Sequence, residues 1–327
     1  MAARDAVRCE ICPKACLLSP GERGDCRIRM HLDGRVQAVT YGHPCSIRAD
    51  PIEKKPFFHF LPGTQILSLA TVGCNLHCHN CQNWEISQAS PGEHPAYDLL
   101  PADLPAAARK SRCPSVAYTY TEPLVSYEYT FDCSKACHEA GLRNALVTAG
   151  YVNAEPLREL CRVVDAATLD IKAFSDAFYR EYCGASLAPV LRSVEILKAA
   201  GVYLELSNLL VPTLNDDDGQ LRELCRWVVG HVGAETPFHF LRFFPLHRMT
   251  HLPPTPVATL LRARALARAE GLKHVYVGNL DLPGGEDTCC AACGQLLIRR
   301  ARYTILENRV LDGKCPDCGQ TVTGVWK

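Results

Sequence analysis

The stretch GCNLHCHNCQN, residues 73 to 83, decides the interpretation of the whole chain because it places three cysteines within eight positions. Cys74, Cys78 and Cys81 follow the pattern C-x3-C-x2-C. Three thiolates so close in sequence cannot all pair as disulfides, but they can bind three irons of a 4Fe-4S cluster and leave the fourth iron open to a small ligand. The spacing therefore predicts a metal centre at which chemistry takes place.

Cysteine usage along the rest of the chain also indicates metal binding. The chain has 19 cysteines in 327 residues, and eleven of them fall into three tight groups. In a reducing compartment such groups indicate metal sites rather than disulfides. Zinc is the alternative to an iron-sulfur cluster at the central loop. A closed zinc site needs a fourth protein ligand, which His77 or His79 would supply.

Length and charge restrict the class of protein. With 327 residues, of which 47% are hydrophobic, the chain can form one large domain with small appendages. The 35 lysines and arginines balance the 35 aspartates and glutamates, so the net charge does not attract phosphate backbones or acidic membranes. No leader sequence opens the chain, and no apolar run reaches the roughly 18 residues of a membrane span. We therefore expect a cytoplasmic protein without a membrane span and without nonspecific nucleic-acid binding.

Residues 1 to 62 are expected to form a small metal-binding unit followed by a linker. The unit contains one group of four cysteines, which are Cys9, Cys12, Cys16 and Cys26. Asp33-Gly34 after this group predicts a hairpin turn, and a hairpin this short needs the folding free energy that a bound metal provides. The spacing leaves zinc and an auxiliary iron-sulfur cluster both open. The proline-rich segment DPIEKKPFFHFLPG that follows is interpreted as a linker that wraps onto the next domain.

Residues 63 to 285 alternate between strand-like and helix-like segments. Seven strands are predicted, near residues 65–71, 115–120, 144–148, 167–172, 202–210, 238–244 and 274–277. The predicted helices between them lie near residues 102–112, 126–141, 154–164, 176–200, 217–230 and 256–270. Repeated strand-helix-strand units require a parallel sheet with right-handed crossovers, which predicts an α/β fold of the partial (β/α)6 barrel type. A doubly wound sheet is the alternative, although the Gly-rich phosphate-binding fingerprint is absent.

Residues 286 to 327 are predicted to form a zinc-ribbon-like unit. Two CxxCG knuckles supply its four cysteines, which are Cys290, Cys293, Cys315 and Cys318. The knuckles are separated by 21 residues. Paired knuckles at this spacing indicate a structural zinc site. A second iron-sulfur cluster is the alternative at this position.

Polar residues gather after the predicted strands, which is where parallel barrels place their catalytic loops. Asp170 and Lys172 end the fourth strand on the same face, and they could also be a purely structural ion pair. Together with residues near the other strand ends and the cysteine loop, they form a candidate cofactor-binding set: Asn83, Glu122, Asp170, Lys172, Asn208 and His247.

The motifs in this order resemble the radical S-adenosylmethionine (SAM) enzymes, and within them the AmmeMemoRadiSam system family. The resemblance is carried by CxxCPxxC with GDCRIR, then DPIEKKPFFHFLPG, GCNLHCHNCQNWEIS, TYTEP, LDIKAF, VPTLND and the closing CxxCG pair. It implies a fold similar to that of pyruvate formate-lyase activating enzymes, a 4Fe-4S cluster on the central cysteines and SAM as cofactor. It also implies reductive cleavage of SAM to a 5'-deoxyadenosyl radical, which abstracts hydrogen from a small-molecule or protein substrate that the motifs do not identify.

The resemblance extends to individual residues and to partners. In the activating enzymes a Gly-Gly-Glu-type segment after the second strand receives the methionyl amine of SAM, and Tyr120-Thr121-Glu122-Pro123 occupies that place here. Glu122 is therefore the expected partner of the amine. An electron donor such as flavodoxin or ferredoxin is implied, and partners of the MEMO or AMMECR type are expected.

Two alternative functions remain open at this stage. One is a glycyl-radical-enzyme activase, which takes hydrogen from a glycine of a partner protein. The other belongs to a different class, a zinc-dependent scaffold or RNA-binding module without SAM chemistry. Iron and sulfide analysis distinguishes the second alternative from an enzyme of the radical SAM kind.

Overall fold

A computed structural model describes residues 5 to 327, so the first four residues of the predicted N-terminal unit lie outside the described part of the chain. The strands, in chain order, are β1 (Val7–Arg8), β2 (Leu17–Leu18), β3 (Arg29–Leu32), β4 (Arg35–Ala38), β5 (Ser46–Pro51), β6 (Gln65–Ala70), β7 (Ser115–Tyr118), β8 (Arg143–Thr148), β9 (Ala166–Asp170), β10 (Tyr203–Leu210), β11 (Phe238–Arg242), β12 (Val275–Gly278), β13 (Thr288–Cys289), β14 (Leu296–Ala301) and β15 (Thr304–Asn308).

Within residues 5 to 327, eight α-helices and four other short helical turns connect these strands. The helices are α1 (Trp84–Ser87), α2 (Leu104–Lys110), α3 (Tyr127–Glu139), α4 (Ala154–Leu160), α5 (Asp176–Phe178), α6 (Leu187–Ala199), α7 (Asp218–His231) and α8 (Val257–Ala269). The shorter turns are Ile52–Lys54, Pro101–Asp103, Pro123–Ser126 and the π-helical turn Tyr179–Cys183. None of the helices in residues 5 to 327 is long and apolar enough to cross a membrane.

The central sheet has eight strands in the order β12-β11-β10-β9-β8-β7-β6-β5. Strands β6 to β12 are parallel to their neighbours, and β5 pairs with β6 in the antiparallel direction. All seven predicted strands are present, and helices separate them as expected. The predicted α/β fold with a mainly parallel sheet is therefore confirmed, because alternating strands and helices can pair their strands only through crossovers.

The two faces of the sheet contact different parts of the chain. Alternate strand residues such as Val116 and Tyr118 belong to the main core, to which the helices contribute. Residues between them, such as Ala117, pack on the other face against Phe57 and Phe60, which are fully buried. Helices on one face favour the partial barrel over the doubly wound alternative, which has helices on both.

The segment interpreted as a linker contributes to the central unit. Its first two residues, Asp50 and Pro51, end β5, which is the eighth strand of the sheet. Its phenylalanines Phe57 and Phe60 fill the space above three alanines of the sheet, and burying each contributes about 1.5 to 3 kcal/mol. The small side chains at these sheet positions, on three neighbouring strands, leave the volume that the aromatic rings occupy: Ala117, Ala145 and Ala166.

The N-terminal unit contains the predicted hairpin and packs on the central unit. Asp33 and Gly34 connect β3 to β4 with φ values of 49° and 80°, as a two-residue type I′ turn requires. Arg29 in β3 is 3% exposed, and its guanidinium donates two hydrogen bonds to the carboxylate of Glu128 in α3, at 2.7 and 2.9 Å. This bidentate pair attaches the unit to the sheet's outer helices.

The C-terminal unit, which contains β13 to β15, packs against the same linker. The N–H of Leu61 donates to the carbonyl of Val325 at 2.7 Å, and Nδ1 of His59 contacts the carbonyl of Thr323 at 2.7 Å. Arg300 of β14 is 7% exposed and donates to the carbonyl of Phe58 at 2.7 Å. The linker is therefore enclosed between the sheet and the C-terminal unit.

Candidate active site

A cavity of about 400 Å³ lies at the carboxyl ends of the parallel strands and extends to the linker. Side chains of the cysteine loop and of the ends of β7, β8, β9 and β12 line it. Parallel barrels place their active sites at this end of the sheet. The cavity brings together seven residues of the predicted site, which are Cys74, Cys78, Cys81, Asn83, Glu122, Asp170 and Lys172.

Backbone hydrogen bonds hold the cysteine loop against the π-helical turn. The N–H of His77 donates to the carbonyl of Cys183 at 2.8 Å, and the N–H of His79 donates to the carbonyl of Tyr182 at 2.9 Å. Burial strongly raises the pKa of the Cys74 thiol. A bound metal cation reverses such a shift because it stabilises the thiolate. The loop therefore offers rigidly held thiols in a place where a metal would ionise them.

The three loop thiols fit a cluster better than a single ion. Within residues 5 to 327, no group of three or more potential ligand atoms lying within 4.8 Å of one another includes them. Ligands of one ion must converge on it, whereas each thiolate of a cluster binds its own iron. His77, a proposed fourth zinc ligand, already contacts Gln88 through Nδ1 at 3.0 Å and Asp25 through Nε2 at 2.9 Å. His77 is therefore already engaged and is not free to serve as the fourth zinc ligand.

Glu122 is buried in the cavity wall and is held by three donors. The side chain is 2% exposed. It accepts hydrogen bonds from the hydroxyl of Thr148 at 2.7 Å, from the N–H of Ala149 at 2.8 Å and from the N–H of Leu124 at 3.3 Å. Burial raises the pKa of Glu122, and these donors oppose the rise. Because a carboxylate has about four acceptor sites, Glu122 can accept one further donor from a ligand.

Asp170 and Lys172 form the ion pair that the sequence suggested, with Lys172 Nζ at 2.7 Å from Asp170 Oδ2. The hydroxyl of Ser207 also donates to Asp170. Burial would lower the pKa of Lys172, but nearby Asp170 raises it overall. Asn208 does not line the cavity, and its Nδ2 donates to the carbonyl of Ile171 at 2.6 Å. Asn208 therefore positions the segment that carries the ion pair.

Asn83 and His247, the remaining members of the predicted set, differ in their relation to the cavity. Asn83 borders the cavity and donates from Nδ2 to the carbonyl of Tyr120 at 2.9 Å. His247 lies outside the cavity lining and stacks on Trp84, with ring centroids 5.2 Å apart. A SAM contact of either residue stays a prediction, and only Asn83 is placed to make one without rearrangement.

The cavity has further polar and aromatic lining that sequence reasoning missed. It comes from the linker after β5 and from the chain after β12, and its members include Glu53, Lys54, Lys55, Phe58, Asn279, Glu286 and Tyr303. Lys55 Nζ lies 2.9 Å from the carboxylate of Asp50 and 3.9 Å from the ring centroid of Tyr120. The sequence feature that could have indicated this lining is the charged run EKK beside three phenylalanines. A linker exposed to solvent rarely contains so many aromatic residues, so the run indicates a buried segment.

The N-terminal cysteines lie directly beside the cysteine loop. Cys9, Cys12 and Cys26 are buried, and a Cβ atom on Gly73 would lie only 2.5 Å from the carbonyl oxygen of Cys26. No converging group of ligand atoms is formed by these cysteines in residues 5 to 327. A metal at this position therefore stays a prediction, with its identity open.

The C-terminal cysteines converge as ligands of one metal ion would. The sulfur atoms of Cys290, Cys293, Cys315 and Cys318 all lie within 4.8 Å of one another. The two knuckles have matching backbone hydrogen bonds, from Gly294 N–H to Cys290 and from Gly319 N–H to Cys315, each 2.9 Å long. Four thiolates around a common centre suit a tetrahedral ion. This cluster could bind a metal.

Comparisons with known proteins give consistent results for the central unit. A family model described as the Radical SAM superfamily matches residues 68–228. An uncharacterized protein of Methanocaldococcus jannaschii is 45% identical over 318 residues, which are 97% of this chain and 95% of that protein. The pyruvate formate-lyase-activating enzyme of Clostridium pasteurianum is 28% identical over 175 residues, which are 52% of this chain and 73% of that enzyme.

A solved structure supports the fold. Streptococcus suis SuiB has a TM-score of 0.52 at 13% identity, with 70% of this chain and 52% of that chain covered. At this identity the likeness concerns the fold alone. The described cavity, the three-cysteine loop and these comparisons are consistent with one another.

Proposed function

The chain belongs to the radical SAM superfamily, and from this premise we propose that its cavity binds SAM beside a 4Fe-4S cluster on Cys74, Cys78 and Cys81. Membership implies an enzyme with radical chemistry, together with this cluster and SAM as cofactors. When bound, the cluster and SAM together supply a 5'-deoxyadenosyl radical, which takes a hydrogen atom from the substrate. The single observation that carries the proposal is that the three loop cysteines and the buried Glu122 line one cavity.

The protein's own residues would bind and orient SAM. Glu122 would accept a hydrogen bond from the methionyl ammonium, because its carboxylate retains an unused acceptor site. Asn83 and the pair of Asp170 and Lys172 would offer further polar contacts from two other walls of the cavity. The aromatic linker and the C-terminal unit would exclude water from the inner end of the cavity, which protects a radical from side reactions.

The test of this proposal uses anaerobically prepared, reconstituted protein. We expect an electron paramagnetic resonance signal from the reduced cluster that changes when SAM is added, and formation of 5'-deoxyadenosine under strong reductant. The triple variant Cys74→Ala, Cys78→Ala, Cys81→Ala should lose both. A control variant, Cys161→Ala, removes a thiol that lies outside the cavity and should keep both. A SAM-responsive cluster in the triple variant would contradict the assignment.

A glycyl-radical-enzyme activase is the second candidate, and the names of several relatives favour it. The similarity to the Clostridium pasteurianum activating enzyme covers 52% of this chain. However, the family model ends at residue 228 and begins at residue 68, whereas Glu53, Lys55, Glu286 and Tyr303 in the cavity wall lie outside that range. We therefore propose a substrate that differs from a glycine of a glycyl-radical enzyme. Partners of the MEMO or AMMECR type and a flavodoxin or ferredoxin donor remain part of the proposal.

Metal binding in the flanking units completes the proposal. The convergence of four sulfurs supports zinc at Cys290, Cys293, Cys315 and Cys318, with a zinc-ribbon-like structural role. Such a site would hold the C-terminal unit against the linker. For the N-terminal group we propose a metal that is either zinc or the iron of an auxiliary cluster.

A further inference from the structure

The lysines that border the cavity already have carboxylate partners. Lys54 and Lys55 contact the carboxylate of Asp50 through Nζ at 2.8 and 2.9 Å. Lys172 contacts Asp170 at 2.7 Å. A salt-bridged lysine is a poor receptor for a second anion because its positive charge is already balanced. Because Lys54 and Lys55 share the single carboxylate of Asp50, one lysine charge is left unbalanced. The three further carboxyl groups of the cavity lining, those of Glu53, Glu122 and Glu286, outnumber it.

Two carboxyl groups of the cavity have no cation in contact. Glu53 is 2% exposed; its Oε1 accepts the N–H of Gly63 at 2.7 Å, and its Oε2 has no hydrogen-bond partner among residues 5 to 327. The Glu286 carboxylate forms no ion pair and no hydrogen bond within the same residues, although charged groups act on it from a distance. A buried carboxylate oxygen without a partner, such as Oε2 of Glu53, is costly, and natural proteins rarely leave one so without a function. Glu286 is half-buried.

Arg300 is the cation with the largest electrostatic effect on both groups. Its Nη1 and Nη2 are engaged elsewhere, whereas its Nε has no hydrogen-bond partner among residues 5 to 327. Glu53 and Glu286 both act on the pKa of Arg300. The guanidinium donates to the carbonyls of Phe58 at 2.7 Å and Glu286 at 2.9 Å and to the hydroxyl of Thr288 at 2.8 Å. It also lies 4.3 Å above the ring of Phe58. One cation held by neutral acceptors does not neutralise both carboxyls.

Both glutamates are carried by segments other than the cysteine loop and the ends of β7, β8 and β9. Glu53 is next to Gly63, just before the amino end of β6. Glu286 is beside the last residue of β12, where a Cβ atom on Gly278 would lie 3.6 Å from its Oε1. Burial raises the pKa of both carboxyls, so each would gain from a cation brought by a ligand.

From these contacts we infer that Glu53 and Glu286 form the substrate-recognition end of the cavity and bind a protonated amine. The inference rests on the proposed function and deepens it by naming the substrate class. An ammonium has three donors, and each of the two carboxyls that line the cavity offers an acceptor oxygen to it. A small alkylamine and a lysine side chain of a peptide share this chemistry, and the experiment separates them.

The test measures binding to cluster-loaded protein in the presence of SAM, by isothermal titration calorimetry under anaerobic conditions. The probes are cadaverine, the neutral 1,5-pentanediol and the anionic glutarate, which have the same chain length, and a lysine-containing tetrapeptide. The variants are Glu53→Gln and Glu286→Gln. The control, Glu307→Gln, removes an exposed carboxylate from β15 of the same unit outside the cavity.

We expect the parent to bind cadaverine or the peptide more tightly than both uncharged and anionic probes. Each cavity variant should weaken amine binding by about tenfold or more, the effect of one charge-assisted hydrogen bond, while Glu307→Gln leaves it unchanged. Equal binding of the three small probes, a preference for glutarate, or unchanged amine binding in both cavity variants would overturn the inference. Formation of 5'-deoxyadenosine is measured on the same parent sample, so a failure of the proposed function is seen separately from a failure of amine recognition.

Discussion

Replacing Glu122 by glutamine tests the proposed SAM site at its most buried polar residue. The substitution keeps the shape of the side chain but replaces one oxygen by an NH2 group. In the native protein Oε2 accepts the N–H of Ala149 at 2.8 Å, whereas Oε1 accepts the N–H of Leu124 at 3.3 Å. Because the NH2 group cannot accept a hydrogen bond, one of the two N–H donors must lose its acceptor. We expect the glutamine oxygen to keep the shorter bond from Ala149 and the NH2 group to lie on the Leu124 side, where the bond is lost.

The magnitude follows from these contacts. The Leu124 contact is the longer of the two, so its loss should cost no more than about 1 kcal/mol of folding free energy. The loss of the negative charge removes a charge-assisted hydrogen bond to the methionyl ammonium, worth about 1.5 to 3 kcal/mol. SAM should therefore bind about ten- to hundredfold more weakly to Glu122→Gln, with the cluster retained.

The assay records 5'-deoxyadenosine formation against SAM concentration at equal cluster occupancy, with SAM affinity measured independently by equilibrium dialysis. The matched control is Glu159→Gln, an exposed carboxylate outside the cavity that accepts a hydrogen bond from Tyr127 at 2.6 Å. The control should behave as the parent does. If Glu122→Gln matched the parent at every SAM concentration, Glu122 would not be the partner of the amine and the reasoning would fail.

Two further predictions concern the C-terminal unit. Cys315→Ser should remove the proposed zinc, measured by elemental analysis, and lower the melting temperature by about 5 °C or more, because structural metal binding contributes folding free energy; an unchanged metal content would contradict this. Glu286→Gln should change the pH dependence of stability, because burial raises the pKa of Glu286 from 4.5 to about 7. A raised folded pKa means that the stability contribution is complete below pH 4.5 and is lost as pH rises through 7. The upper limit of this loss is about 3 kcal/mol, and partial exposure should reduce it to about 1 to 2 kcal/mol. In urea unfolding, the variant should therefore match the stability of the parent below pH 4.5 and exceed it above pH 7. Identical pH profiles of the two proteins would show that the Glu286 carboxyl does not cause the loss of stability.

Local sequence patterns were sufficient to predict the architecture of the central unit. Each predicted strand and helix of residues 63 to 285 has a counterpart in the structure, because hydrophobic periodicity reports directly on which face of an element is buried. The hairpin turn at Asp33-Gly34 was predictable for a similar reason, since the turn type demands positive φ at both positions. The spacing of the two CxxCG knuckles also predicted that their four cysteines come together.

The sequence predicted the part of the candidate site that follows the strands of the parallel sheet. It did not predict the part that the linker after β5 and the chain after β12 contribute. Seven of the predicted residues meet in the cavity, because parallel strands bring their carboxyl ends together. Asn208, at the end of β10, was expected to face a ligand but donates to the backbone of Ile171. The position of a residue near the end of a strand does not determine which group its side chain hydrogen-bonds.

The sequence by itself determined the order of the elements, the cysteine loop and the metal-binding pattern of the C-terminal unit, because each depends on residues close together in the chain. Only the tertiary structure decided the role of the linker. Its phenylalanines enter the sheet interior, and the N–H of His59 donates to Glu205 at 2.8 Å, across 146 residues. Such partners leave no local signal, since the hydrogen bond exists only after the linker has packed against the sheet. The same holds for Glu53 and Glu286, whose lack of a cation is a property of the assembled cavity.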